Sequence, residues 1–454
     1  MPTTKLSPDE SLSFKLVTQL LPKEDCRLDL YFSIPTEMGI NKDTFNEVDF
    51  FNAHIKTHCA YYSEQLHLPL VRSRYISQNK REKSGYRVNL NLFSYQIRIA
   101  LDADIKAVLK LKQANDFFPA ASELVEQAKK LLKKLRRYKP PEQMLKPYFQ
   151  NADNYLSWHI EQAFLKLLAK GPKSSEFSSE RIKILAFCKE ETAYREQHNY
   201  NSQVTLDDPN RITNKMRLLQ RLIEHGVVFN KKTQDLNLNL KRLVRGLVTG
   251  VIMAFVMYLV LNARSTFQEI TIALIALLGL IYGLRETFKD EITQWAWRKI
   301  QHGRPKWRNI FKNSVDDKVV ARQTIWFEFI KSKELPEDVD ALLQKRRQQN
   351  KQAATLLHFC SKNEVKLQEY LPGYEEIQQR ITFNLSSFAR YLKKGAGKLY
   401  SHDGNKVSGQ GVERRYQINL VLKYSTDRDN SVTQLERYKL TMNRSEVVAI
   451  EKIN

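Results

Sequence analysis

The sequence predicts an α+β membrane protein: mainly helical cytoplasmic regions, a transmembrane helical hairpin past the middle, and antiparallel β elements near both ends. Three observations carry this. Two apolar runs without a charge, Gly246–Leu261 and Ile270–Leu284, are parted by the short polar stretch Asn262–Glu269. Basic residues bracket the pair on both sides. Apolar residues alternate with period two near the chain ends and recur at intervals of three and four between them, which separates strands from helices.

Each apolar run is about 15–16 residues, or roughly 23 Å at 1.5 Å per residue, against a hydrocarbon core about 30 Å thick. Leu243, Val244, Ala263 and Phe267 extend the runs, and Arg245 and Arg264 reach headgroups by snorkelling. Lys241, Arg242 and Arg245 precede the pair, and Arg285, Lys289, Arg298 and Lys299 follow it. The loop holds Arg264 alone, balanced by Glu269. By the positive-inside rule both flanks are expected in the cytoplasm, with only the loop exported. Gly246/Gly250 and Gly279/Gly283 form small-xxx-small pairs that suit close helix packing in lipid. The competing reading of the runs is a buried helical hairpin in a soluble core. The chain divides accordingly into a region 1–240, a hairpin 241–289 and a region 290–454.

With 42% hydrophobic and 27% charged residues, the flanks are ordinary globular material. The net charge of +23 points to an anionic neighbour. Beside a membrane that neighbour is first an anionic lipid headgroup, where each basic residue gains about 1 kcal/mol. Nucleic acid is the weaker expectation. Cys26, Cys59, Cys188 and Cys360 are scattered without a CxxC pair, as free thiols in a reducing compartment are. The polar start, Met1 to Glu10, lacks a secretory signal, so the first apolar run is expected to direct its own insertion.

Near the start, Phe14, Leu16, Thr18 and Leu20 share one face; after a turn at Pro22–Asp25, Leu28, Leu30, Phe32 and Ile34 share another. This predicts an antiparallel hairpin. A helix is expected over Asn46–Tyr61, a strand at Tyr86, Val88, Leu90 and Leu92, and a helix over Ala100–Gln113. From Ala121 to Tyr138 an apolar stripe (Leu124, Ala128, Leu131, Leu135, Tyr138) is flanked by Lys129, Lys130, Lys133, Lys134, Arg136 and Arg137, and Pro140 and Pro141 end it. That face suits either acidic lipid or plain solvation on a bundle helix. Helices follow around Ala152–Lys170 and Ser179–Gln197. The best-marked one runs from Asp208 to His225, with Asp208 as cap, Pro209 in its first turn and Gly226 at its exit. Lys231–Asn239 then forms a polar connector to the hairpin.

Beyond the hairpin, Arg285–Lys312 gathers Trp295, Trp297 and Trp307 among Arg298, Lys299, Arg304, Lys306 and Arg308. Indole rings beside basic side chains suit the headgroup layer, so Arg245, Arg285, Trp295, Trp297, Arg298, Lys299 and Trp307 are the predicted membrane-interface residues. Gly303–Pro305 is a break. Helices are expected at Pro336–Gln349 and Tyr374–Lys394, and a polar loop over Gly395–Gly411. An antiparallel meander ends the chain: Tyr416–Tyr424, Tyr438–Met442, and Val447–Ile450 after a turn. With both flanks on one side of the membrane, the N-terminal strands are free to join that sheet.

No motif carries a reaction. His54 and His58, with Asp49, Cys59 and His67 nearby, lack a general base and a third ligand at metal spacing. Gly395–Lys398 within Lys394–Lys398 lacks the spacer and hydroxyl of a phosphate loop. The apolar runs hold only hydroxyls, Thr249, Tyr258, Thr271 and Tyr282, where ion pathways need ionisable groups. The expectation is a non-enzymatic protein of a bacterial inner membrane, without cofactor, both termini cytoplasmic, acting as scaffold, sensor or adaptor for another cytoplasmic protein. The alternative is an effector that self-associates through its glycine faces and perturbs the membrane; a membrane-tethered nucleic-acid binder is a weaker one.

Overall fold

The structure, a computed structural model, describes all residues except 1–3, 10, 23, 63–82, 173–175, 267–271, 314–316, 351–353, 367–375, 394–395, 405, 427–431 and 454. It is α+β, with antiparallel sheets throughout. Three strands, β1 (Thr4–Pro8), β2 (Ser13–Leu20) and β3 (Asp25–Pro35), lead to the helix α1 (Glu47–His54) and to β4 (Ile55–Tyr62). Six helices follow: α2 (Lys83–Val108), α3 (Ala114–Arg137), α4 (Lys146–Lys170), α5 (Ser178–Gln197), α6 (Gln203–Leu206) and α7 (Pro209–Glu224). Strand β5 (Asn230–Asp235) enters the long helices α8 (Leu238–Thr266) and α9 (Ile272–Gln301). The rest is β6 (Trp307–Lys312), β7 (Val319–Ile330), α10 (Glu337–Asn350), β8 (Ala354–Val365), β9 (Glu376–Asn384), α11 (Ser386–Ala389), β10 (Ala396–Asp403), β11 (Lys406–Glu413), β12 (Tyr416–Thr426), β13 (Val432–Met442) and β14 (Val447–Ile453).

Eight strands form one sheet in the order β14-β13-β12-β3-β8-β7-β6-β5, and four form another, β1-β2-β9-β4. Both sheets mix strands from before and after the long helices. β3 lies between β12 and β8, with Leu30 opposite Leu422 on one side and Phe359 on the other. The two sheets meet through aromatic rings. Phe383 of β9 stacks on Phe14 of β2 at 5.0 Å and meets Phe359 of β8 edge-on at 5.0 Å, while Phe32 of β3 lies 5.8 Å away. All four are buried. The alternating apolar faces of β2 and β3 therefore oppose each other across two layers. They are not a hairpin, because a matching period fixes which face is buried and not which strand is the neighbour. On the outer side of β3, Tyr31 packs with Leu356, Val421 and, from α10, Val339 and Leu343.

The helices α2–α5 and α7 continue the same apolar core. In α3, Leu124, Ala128, Leu131 and Leu135 are buried as the stripe predicts. Arg136 points inward from its polar side. It forms a fork on Glu191 (3.0 and 2.6 Å) and reaches Asp153 at 3.1 Å, tying α3 to α5 and α4. Asp208 caps α7, accepting from the N–H groups of Asn210 and Arg211, and Gly226 turns the chain out with φ +93°.

Four other segments depart from the sequence reading. Asn46–Tyr61 splits at His54 into α1 and β4, so His54 and His58 lie on different elements. Tyr86–Leu92 belongs to α2, where Leu90, Leu92 and Phe93 are all buried; a helix packed on several sides mimics alternation. The described part of Tyr374–Lys394 is β9 and the short α11, and Gly395–Gly411 supplies the paired strands β10 and β11.

Candidate functional site at the foot of the helical hairpin

The long helices enter and leave through one strand pair. β5 and β6 run antiparallel with Asp235 opposite Trp307, and the N–H of Leu236 donates to the Lys306 carbonyl at 3.0 Å. α8–α9 thus replaces the turn of a β-hairpin. Asp235 starts α8 by accepting from the Asn237 N–H at 2.8 Å. Gly303, at φ +75°, lets the chain leave α9 and bend into β6.

Two side-chain contacts fix this foot. Lys306, buried, donates to Glu47 of α1, whose other carboxylate oxygen accepts from the Phe329 N–H at 2.9 Å. His302 lies 3.4 Å from Glu328 and 3.5 Å from Glu334. Glu328 also accepts from the Gly303 N–H at 3.4 Å, and Trp326 donates its indole N–H to the Gly303 carbonyl at 3.2 Å. Between α9 and the α1 cap opens a cleft of about 600 Å³, whose charged lining is Lys42, Asp43, Glu47, Arg298, Lys306 and Glu328, with His302 beside them. Opposite charges alternate there, so it suits a hinge or a zwitterionic contact better than a single anion.

The helices themselves pack against each other. Val244 and Val256 of α8 are buried, while Leu247, Val251, Phe255, Tyr258 and Leu261 are exposed. Among the described residues one helix is long and apolar enough to cross a membrane: α8 over Leu238–Asn262, with mean hydropathy 2.1 and only 11% of its most apolar window buried. The second span expected from sequence is not matched, since the apolar part of α9, Ile272–Leu284, rises only ~20 Å before Arg285 and Glu286. Of the predicted loop Asn262–Glu269, the first five residues continue α8 as far as Thr266, and residues 267–269 lie outside the described residues.

The predicted interface residues divide. Trp295 is 64% exposed with the Lys299 ammonium 5.3 Å from its ring, and Arg245, Arg298 and Lys299 are exposed; Trp297 and Arg285 are half-buried. Trp307 is a correction. It is 3% exposed and stacks on Phe51 at 3.8 Å, because as the first residue of β6 it shares the inward face with Asn309 and Phe311. Gly246, Gly250, Gly279 and Gly283 are also not where α8 and α9 meet within one chain: a Cβ on any of them would touch nothing within 4 Å.

Two polar clusters lie away from the foot, the Arg136–Glu191–Asp153 network between helices and one around Asp29. On the outer face of the large sheet, Asp29 accepts from Arg27 at 2.8 Å and lies 2.8 Å from His358 Nε2, with Tyr31 stacked on the His358 ring. Burial pushes the Asp29 carboxyl upward, but the His358 and Arg27 hydrogen bonds outweigh it and hold the group below the ordinary carboxylate value. A depressed carboxyl contributes stability above its unfolded pKa of about 3.9 and loses it as pH falls through the lower folded value. Asp29→Asn is expected to flatten the acid limb of stability below about pH 4; an unchanged slope in urea titrations at successive pH values contradicts this. Beside it Cys360 is buried and its thiol is pushed well up by that burial; burial likewise pushes the thiols of Cys26 and Cys188 up to about 11. These thiols are poor nucleophiles. Among the described residues no group of His, Cys, Asp or Glu is arranged to hold a metal, and His67 lies outside them.

No protein-family model, curated protein or solved structure matches the chain. The foot, the Asp29 cluster and the Arg136 network were not legible in sequence: the Lys306–Glu47 pair spans 259 residues.

Proposed function

We propose that this is a non-enzymatic, membrane-anchored scaffold or adaptor. The α8–α9 hairpin holds the two-sheet body and its helices against an anionic cytoplasmic leaflet, where the body engages another protein. The observation that carries this reading is the insertion point. A helical hairpin set into the turn of β5–β6 leaves every bond of that strand pair in place, so it is an addition to a body that folds through its own sheets. The exposed apolar surface of the upper part of α8, with Phe255, Tyr258 and Leu261, supports the same reading, because water-soluble proteins rarely leave such a patch uncovered and lipid covers it. The surplus of basic residues, a net charge of +23, adds attraction to acidic headgroups. Carbonate washing of membranes from cells expressing the full chain tests it. The protein is expected in the pellet, and recovery of most of it in the wash contradicts the proposal.

A further inference from the structure

We infer that the lower half of the hairpin packs against a second copy of this chain through an apolar stripe: Leu243, Leu247 and Val251 of α8, and Phe288, Ile292 and Trp295 of α9. The inference rests on the anchor reading above and adds a partner to it.

The observation behind it is a stagger. α8 and α9 share a base, where Asp235 is opposite Trp307, and pack against each other. Counted from that base at 1.5 Å per residue, Gly246–Leu261 lie ~12–35 Å up, whereas Ile272–Leu284 lie ~25–44 Å up. Arg285, Glu286, Lys289, Asp290 and Glu291 therefore sit ~15–24 Å up, level with the apolar run of α8. Glu286, Asp290 and Glu291 are exposed. Lipid is a poor neighbour at this level, since carboxylates on a lipid-facing surface are costly. Water is also poor, because the six stripe residues are large, apolar and 41–69% exposed.

A protein surface that is apolar in the middle and charged at its borders meets both conditions. This chain presents one. Phe288, Ile292 and Trp295 recur at intervals of four and three, the seam spacing of packed helices. Arg285 and Lys289 border that seam on one side and Glu291 on the other. Two copies anchored in one membrane stand parallel, so a rotation about an axis along the helices sets the basic border of one against the acidic border of the other. Confinement to the membrane also raises the effective concentration of a second copy.

The test uses disulfide crosslinking of the full chain in native membranes. Cys26, Cys59, Cys188 and Cys360 are all buried, so one added cysteine reports by itself. Phe288→Cys and Ile292→Cys are expected to give crosslinked dimer as the main band; Asp290→Cys, on the far side of α9, is expected to give about ten-fold less. Adding Ile292→Asp to Phe288→Cys is expected to cut the dimer about five-fold with helix content unchanged by circular dichroism, because residue 292 is on the surface. No dimer from the stripe positions, equal crosslinking at 290, or indifference to Ile292→Asp overturns the inference when the protein stays in carbonate-washed membranes. Protein that leaves in the wash overturns the anchor reading, and this inference with it.

Discussion

Phe383→Ala is expected to lower the stability of the body by about 4 kcal/mol, the cost of removing a fully buried ring and leaving most of its cavity open. Phe383 is the aromatic centre where the sheets meet, touching Phe14, Phe32 and Phe359 from three strands. Those partners sit on strands whose hydrogen-bond register is fixed on both sides, so they have little freedom to collapse inward. A urea titration of the detergent-solubilised chain, followed by far-ultraviolet circular dichroism, reads the change. A loss under about 1 kcal/mol would mean that the sheets do not depend on this contact. Leu399→Ala, on the exposed hairpin β10–β11, serves as control, with an expected change within about 0.5 kcal/mol.

Glu47→Ala is expected to cost about 3 kcal/mol and to loosen the foot of the hairpin. The substitution leaves the Lys306 ammonium buried without its partner and deprives the Phe329 N–H of its acceptor. Most of the loss comes from the stranded charge. Lys306→Met in the same chain is therefore expected to restore a large part of it, since an apolar side chain of similar length asks for no counter-charge. Failure of the double variant to recover stability over Glu47→Ala would show that the Phe329 contact dominates instead. Hydrogen exchange offers a local check: amides of β6 and the last turn of α9 are expected to exchange faster in Glu47→Ala, and those of α4 to be unchanged.

Much of the layout was legible in the sequence because local rules decided it. Asp208–Pro209 and Gly226 mark a helix through backbone chemistry that needs no tertiary partner. The alternation in Tyr416–Tyr424 identifies β12 because its inner residues all face the core. Pairing was not legible, as β2 and β3 show: each face was read correctly, but the strands belong to opposing sheets. β9 hid for a related reason. Its inward row, Ile377, Gln379, Ile381 and Phe383, includes a polar residue that is buried because Gln379 donates to Asn363 at 2.8 Å. A buried amide breaks the hydrophobic period without breaking the strand.

Trp307 failed for want of the same context. Tryptophan among arginines and lysines describes a headgroup layer, yet it also describes an alternating strand whose outer row includes basic residues, and β6, with Arg308 and Lys312 outside, is the second. The foot of the hairpin depends on residues brought together only by the complete eight-stranded sheet. Local sequence carries no trace of such an assembly.

The most direct test of the account removes the hairpin. Residues 237–305 are replaced with Asn-Gly, a pair suited to a two-residue turn, so that Leu236 and Lys306 close the β5–β6 strand pair. The Lys306–Glu47 contact is retained. The account predicts a protein recovered from the soluble fraction without detergent, monodisperse, and unfolding in one cooperative transition. A shortened chain that aggregates, or that still sediments with membranes, would contradict the claim that α8–α9 is an anchor set into an independently folded body.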